Sequence, residues 1–365
     1  MKTLFYTLAK YLNYIFIGAL FFSYLSIYIS PEKIWVLAFF GLAYPFLLFV
    51  NTIFVAFWIY KKKKVFLLSL IAILLGWNYL STYIQIPIKK QNKDSIESPN
   101  SFKILSYNVR LFDLYNWNEN ENTSNQIFEF VNSEDLDLIC FQEFFTNNAG
   151  ELSEKTFSDN LNGKFYSHIH YTIKNSNYNY GIATFSKYPI VNRGVINFRN
   201  SSNSSIYTDV VINSDTVRIF NNHLQSIRFN KNNYTFITNS KALKDDERLK
   251  EIKDISFRLR DAFIKRASQA DILSKHIINS PYPVIVTGDF NDVPVSYTYR
   301  TMKQDLNDSF VEAGRGIGTT YMGKFPSFRI DFILHNDKIR CVDFDIPNVK
   351  LSDHYPVITE FILER

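Results

Sequence analysis

Three stretches in the first 90 residues carry no charged side chain, and nothing else in the chain constrains its fold as strongly. They are Tyr11–Pro31 (21 residues), Ile34–Tyr60 (27 residues) and Val65–Ile88 (24 residues). A helix needs roughly 20 mostly apolar residues to cross a bilayer, so each stretch predicts a transmembrane helix. A secretory signal peptide is the competing reading of the first. Two more apolar stretches follow it, however, and no small-residue cleavage site is evident. Pro45 and Asn51 lie inside the second stretch, where a kink and an interhelical hydrogen bond account for them. The four lysines Lys61–Lys64 predict a cytoplasmic loop. The Pro31-Glu32-Lys33 loop and everything after residue 88 then face outward, although Lys89, Lys90 and Lys93 run against that assignment. The expectation is a multi-pass membrane protein whose first partner is the lipid bilayer. Residues 1–90 form the anchor, the polar run 91–100 a linker, and residues 101–365 a compact extracytoplasmic domain.

The formal net charge of +5 suggests a nucleic-acid partner until it is divided. Residues 1–90 hold nine Lys and one acid, whereas the remainder holds 31 Lys+Arg against 34 Asp+Glu. A basic domain is the usual footprint of nucleic-acid binding, and this domain is slightly acidic. Two cysteines, Cys140 and Cys341, exclude a disulfide scaffold and a Cys-rich zinc site.

Beyond residue 100, short β-rich runs recur: Lys103–Val109, Leu136–Phe141, Gly181–Ser186, Ser205–Ile212, Val217–Leu224, Pro283–Thr287, Arg329–Leu334 and Tyr355–Phe361. The Val-Ile-Val core of Pro283–Thr287 predicts a strand buried on both faces. Helices are expected over Thr123–Asn132 and Asp245–Ile278, and the mixed charges of Lys241–Arg266 predict a solvated helix face. Asn177–Tyr180 and Arg199–Ser205 are Asn/Ser-rich and predict loops. Strands interleaved with helices imply an α/β layered sandwich, two β-sheets flanked by helices.

Several apolar strands end in polar residues. Asn108 closes the first and Gln142-Glu143 the second; His223 lies near the end of the fifth. Gly288-Asp289-Phe290-Asn291-Asp292 closes the buried strand, Asp331 interrupts RIDFIL, and Asp353-His354 precede the last strand. Polar groups converging at the strand ends of an α/β sheet form a site. Glu143 and its neighbouring carboxylates suit a hard cation, Mg²⁺ or Mn²⁺. Asp289 suits water activation, Asn291 a hydrogen bond to developing phosphoryl charge, and His354, oriented by Asp331, a contact to phosphate. His223 suits the same work. Plainer readings exist: Asn108 as a turn residue, Glu143 as a helix N-terminal acid, GDFN as a turn. Asp331 is harder to dismiss, because an unpaired carboxylate in an apolar run is costly. His168, His170, His276 and His335 read as ordinary surface or satisfied histidines. Together the strand ends predict metal-assisted hydrolysis of a phosphate ester.

The motifs SYNVRLF, ICFQEF, YGIATFSKYPI, FNNHLQS, VIVTGDFNDVP, RIDFIL and LSDHYPVI occur in an order that resembles the endonuclease/exonuclease/phosphatase superfamily, over roughly residues 102–363. The resemblance implies a four-layered α/β sandwich preceded, in this chain, by three transmembrane helices. It implies that Glu143 is the principal metal ligand, with Asn108 and Asp353 beside it. It implies that Asp289, Asn291, His223, His354 and Asp331 carry catalysis on a phosphorylated substrate. Membrane-anchored bacterial relatives of this kind act on polyprenyl pyrophosphates, so a lipid-linked substrate is the first expectation. A tethered nuclease acting on DNA is the alternative, and a non-catalytic membrane-anchored module a third, opposed by the intact motifs.

Overall fold

Apolar runs in the first 86 residues become helices in the computed structural model, which describes residues 2–86, 100–120, 122–147, 152–161, 163–239, 245–323 and 327–364. These helices are α1 (Lys2–Ser26), α2 (Pro31–Ile34), α3 (Val36–Leu42), α4 (Tyr44–Tyr60), α5 (Phe66–Leu75) and α6 (Trp77–Leu80), followed by the short strand β1 (Ile84–Gln85). They pack side by side as a bundle. Asn13, fully buried, ties it together by donating to Ser69 Oγ (2.6 Å) and accepting from Trp58 Nε1 (2.9 Å).

The expectation of three spans needs correction. Only α1 is long and apolar enough by itself, as the window Thr3–Ser26. The second stretch is broken between α3 and α4, which meet at 64°. Pro45 explains the break: it has no N–H to donate and its ring crowds the preceding turn. The third stretch yields a ten-residue helix ending at Gly76. At 1.5 Å per residue that is about 15 Å, half the hydrocarbon thickness. The described residues therefore contain one helix of spanning length, or two if the bent pair counts as one span. The expected linker 91–100 lies outside the described residues except for Asn100.

From residue 101 strands and helices alternate: β2 (Ser101–Asn108), α7 (Thr123–Ser133), β3 (Leu138–Asn147), α8 (Glu154–Asn160), β4 (Tyr166–Lys174), β5 (Tyr178–Ser186), β6 (Ile190–Asn197), β7 (Ser204–Ile212), β8 (Asp215–His223), α9 (Lys231–Asn239), α10 (Asp245–Ile278), β9 (Val284–Asp289), α11 (Tyr297–Lys303), β10 (Asn307–Asp308), α12 (Ser309–Ala313), β11 (Gly316–Ile317), β12 (Asp331–His335), β13 (Ile339–Asp345) and β14 (Val357–Leu363). One sheet has the order β13-β14-β2-β3-β5-β4, the other β10-β12-β9-β8-β7-β6. Phe102, Ile104 and Leu138 of the first interlock with Ile219, Ile285 and Ile333 of the second. Helices α7 and α8 cover the outside of the first sheet, α10 and α11 that of the second. This is the expected two-sheet sandwich, stabilised by burial of apolar surface at roughly 25 cal/mol per Å².

The topology itself builds the site. Each sheet is antiparallel except at one central pair, β2–β3 and β8–β9. A parallel pair ends both strands at the same edge, so Asn108 lies opposite Gln142 and His223 opposite Asp289. Antiparallel β12 then begins there, with Asp331 opposite Asp289. Two expectations fail locally. Strand β3 runs on past Gln142-Glu143 to Asn147, because a bulge between Phe141 and Phe144 absorbs the polar pair. Tyr178–Tyr180, expected in a loop, begin β5, where Tyr178 and Tyr180 pack on Phe145 of β3.

Candidate active site

Asp289 is the hub. Gly288 before it has φ +125°, and a Cβ there would stand 2.0 Å from Asn222 O, so only glycine lets β9 pass β8 this closely. The Asp289 carboxylate, 1% exposed, accepts from Asn291 N (2.7 Å), Asn291 Nδ2 (3.0 Å) and Asn108 Nδ2 (3.0 Å). Burial nevertheless raises its pKa to about 6; His354 opposes this rise and Asp331 adds to it. Such a group is a base near neutral pH. Asn291 has φ 54° and spends its amide hydrogens on Asp289 and on Leu224 O (3.1 Å), so it orients Asp289.

His354 and Asp331 form a buried pair, Nδ1 to Oδ2 at 2.9 Å. Asp331 is fixed in turn by its N–H, which donates to Thr320 Oγ1 (3.1 Å). Burial pulls the His354 pKa down, but the Asp331 and Asp289 carboxylates outweigh it and raise it to about 10. The ring is therefore a cation at neutral pH, with Nε2 3.8 Å from Asp289 Oδ2. His223 is the opposite case: burial keeps its pKa low and the ring neutral. Its Nε2 is buried without a hydrogen-bond partner, 3.7 Å from Glu143 Oε1 and 3.8 Å from Asp289 Oδ2. An orphaned ring nitrogen aimed into a cleft is a ready contact for phosphate oxygen.

Glu143 rides the β3 bulge at φ 50°, which turns its carboxylate into the cleft. Burial and then Asp353 push its pKa up, against His354, Asn108 and Arg110. Asp353 contacts Arg110, Nε to Oδ2 at 3.4 Å. Two neighbouring carboxylates, Glu143 and Asp353, with oxygen donors at the cleft fit a hard divalent cation. Asn108 stands beside them, one lone pair of its Oδ1 taken by Arg110 N–H (3.1 Å). Asp289, Asp331 and His354 also offer ligand atoms within 4.8 Å of one another. In that trio the Asp331 carboxylate stabilises the charged form of His354.

All eight residues expected from sequence thus meet at one end of the two sheets. Sequence reasoning missed their supports. Arg110 opens four successive left-handed residues, Arg110–Asp113, and its guanidinium lies 4.2 Å over the Trp117 ring. Tyr321 packs edge-on against His354 at 5.2 Å and bridges its backbone. Gln142 and Asn221 bond beneath the site (2.7 Å). The NVR and NNH runs hinted at some of these; Tyr321 has no local signal. His168 is satisfied by Thr208 Oγ1 (2.8 Å), as expected. A cavity of about 550 Å³, lined by Arg315, Asp343, Phe344 and Tyr355, holds none of the catalytic residues.

The family model described as "Endonuclease/Exonuclease/phosphatase family" matches residues 105–354, more than half of the chain. The chain belongs to that family. Members are phosphoester-hydrolysing enzymes that generally use divalent metals. Residues 3–83 match a second model, described as a domain of unknown function. No curated protein matches the chain. Solved structures share the fold at low identity. The endonuclease/exonuclease/phosphatase from Bacteroides vulgatus is 16% identical (TM-score 0.53) over 72% of this chain and 99% of that one. A humanized D. rerio TDP2 with 14 mutations is 12% identical (TM-score 0.52) over 72% and 99%. The human Nocturnin catalytic domain, with a bound sulfate anion, is 15% identical (TM-score 0.50) over 72% and 95%. All eight cleft residues, Asn108 to His354, lie within the matched range.

Proposed function

We propose that this chain is a membrane-anchored, divalent-metal-dependent phosphatase or phosphodiesterase acting on a lipid-linked or extracytoplasmic phosphate ester. The observation that carries this is the seat of the catalytic loop on the apolar bundle. Val295, six residues after Asp289, is buried among Leu20, Ile27, Tyr44 and Leu47. The outside of the bundle is bare: Leu4, Leu8, Ile15, Phe49, Ile53 and Leu75 are each at least half exposed. Soluble monomers rarely show such patches. In this reading α1 and the bent α3–α4 pair lie in the bilayer, with the short α5 packed against them. Lys61–Lys64, joining α4 to α5, marks the cytoplasmic end, and the catalytic domain sits at the other. Protease added to intact spheroplasts then cuts residues 101–365; complete protection overturns this orientation.

Asp289, with a pKa near 6, takes a proton from the attacking water. His354, held cationic by Asp331, donates through Nε2 to a phosphoryl oxygen, and neutral His223 lies beside it. Glu143 and Asp353, with Asn108 adjacent, would hold Mg²⁺ or Mn²⁺, which supplies Lewis-acid stabilisation of the phosphoryl charge when bound.

One observation favours a tethered nuclease as the second reading. Beside Arg110 lie Trp117 and Tyr115 (5.0 Å apart), with the Tyr115 hydroxyl 3.4 Å from that of Tyr180. Such aromatic and cationic surfaces stack nucleobases. The test uses the detergent-purified full-length protein with Mg²⁺, polyprenyl pyrophosphate and supercoiled plasmid, and Asp289→Asn as blank. Phosphate release from the lipid, plasmid intact, supports the first reading; nicking without lipid turnover replaces it with the second. Chelation by EDTA abolishes either activity, and Mg²⁺ or Mn²⁺ restores it.

A further inference from the structure

Helix α10 does not present the fully solvated face that its mixed charges suggest. Leu249, Ile252 and Phe257 are 55%, 48% and 56% exposed. Leu249, Ile252, Leu259 and Phe263 fall at i, i+3, i+10 and i+14, with Ser256 at i+7, so they form one stripe along the helix. The C-terminal end of this stripe is covered. Leu259 and Phe263 are buried, and the Phe263 ring meets Phe39 of α3 edge-on at 5.3 Å. The N-terminal end is bare, reaching beyond the contact by about 16 Å at Ile252. Next to the contact, at the end of the anchor, Ile34, Trp35 and Val36 are 47%, 40% and 44% exposed. Exposed Trp at the end of an apolar bundle marks a membrane–water interface.

We propose that the N-terminal half of α10 lies in the headgroup region of the bilayer that holds the anchor, with Leu249 and Ile252 turned into it. This rests on the membrane-anchored reading given above. Continuity argues for lipid over a protein partner: the bare stripe runs directly on from the surface that the anchor covers. Charge sets the manner of binding. Residues 245–260 hold five acids and five Lys+Arg, so adhesion comes from apolar contact and tethering, not from attraction to anionic lipid.

The opposite side of the helix points to a consequence. Glu251 and Asp254 accept from Asn233 Nδ2 of α9 (2.8 and 2.9 Å). Seating α10 in the headgroups therefore holds α9, on the far side of the helix, one helix diameter, roughly 10 Å, above the membrane surface.

The test places a single environment-sensitive fluorophore on the full-length protein in phosphatidylcholine vesicles. Leu249→Cys and Ile252→Cys are labelled in a Cys140→Ser/Cys341→Ser background. Ile15→Cys reports the anchor, and Lys338→Cys, on the β12–β13 turn, is the solvent control. Headgroup-spin-labelled lipid is expected to quench the two α10 probes but not Lys338→Cys, and added salt leaves the quenching unchanged. Ile15→Cys quenched by acyl-chain-labelled lipid with α10 unquenched overturns the proposal and leaves the anchor standing. A blue shift at α10 without lipid quenching also overturns it, since protein then covers the stripe. An unquenched Ile15→Cys overturns the anchored reading and the proposal with it.

Discussion

Asp289 and Asp292 lie three residues apart and serve different ends. Asp289 accepts three hydrogen bonds yet stays near pKa 6. Asp289→Asn keeps the hydrogen-bonded amides but removes the base, so kcat is expected to fall by about 10²–10⁴ with the thermal midpoint nearly unchanged. Asp292 is structural. It pairs with buried Arg266 (3.1 Å), which also donates to Gln225 O (2.9 Å). Arg266→Ala strands a buried carboxylate and should destabilise the fold by about 3–5 kcal/mol, read as a loss in urea midpoint. His168 supplies a pH test. Burial lowers its pKa from 6.5 to about 4, so the unfolded chain binds the extra proton. Its contribution to stability is complete above pH 6.5 and is lost as the pH falls toward 4. His168→Gln should flatten the fall in unfolding midpoint across that window. At this scale the sequence was readable where chemistry demands an unusual residue, such as Asp331 inside RIDFIL. Arg110 and Tyr321 were not readable, because their meaning depends on neighbours distant in sequence.

At the scale of elements, close approach governs. A Cβ at Gly41 of α3 would stand 2.3 Å from Val295 O and 2.6 Å from Ser26 Oγ. Gly41→Leu should therefore push the anchor off the loop that follows Asp289, at a cost of about 1–3 kcal/mol. A lower thermal midpoint together with reduced kcat would show it; a lower midpoint alone would mean that the contact only stabilises. Central strands such as Val284–Asp289 were legible because both faces are buried and their apolar runs are unbroken. Edge strands β4, β6 and β13 were not, since their solvated faces dilute the pattern. The Glu143 bulge was hidden for a related reason: polar residues at a strand's middle and at its end look alike in sequence.

Across the whole molecule, the N-terminal helix bundle and the sandwich share buried polar groups. Arg329, 2% exposed, pairs with Asp308 (2.5 Å), lies over Phe310 and Phe332, and donates to the Thr82 carbonyl (2.9 Å). Strand β1 pairs with β11, and the Tyr83 carbonyl accepts from Gly318 N (3.0 Å). Removal of residues 1–90 should lower the thermal midpoint of the catalytic domain and expose Val295 to an apolar dye; an unchanged midpoint would show that the domain is energetically independent. By itself the sequence determined the apolar N-terminal quarter, the alternation of strands and helices, and the polar residues at strand ends. Those follow from local pattern and from the cost of burying charge. Pro45 was legible as a kink, but only the folded chain set the 64° between α3 and α4 and ended α5 at Gly76. It alone decided the protonation of His354 and His223, since burial and neighbouring carboxylates pull in opposite directions. It alone joined the catalytic loop to the anchor, because residues 41 and 295 meet only when the chain has folded.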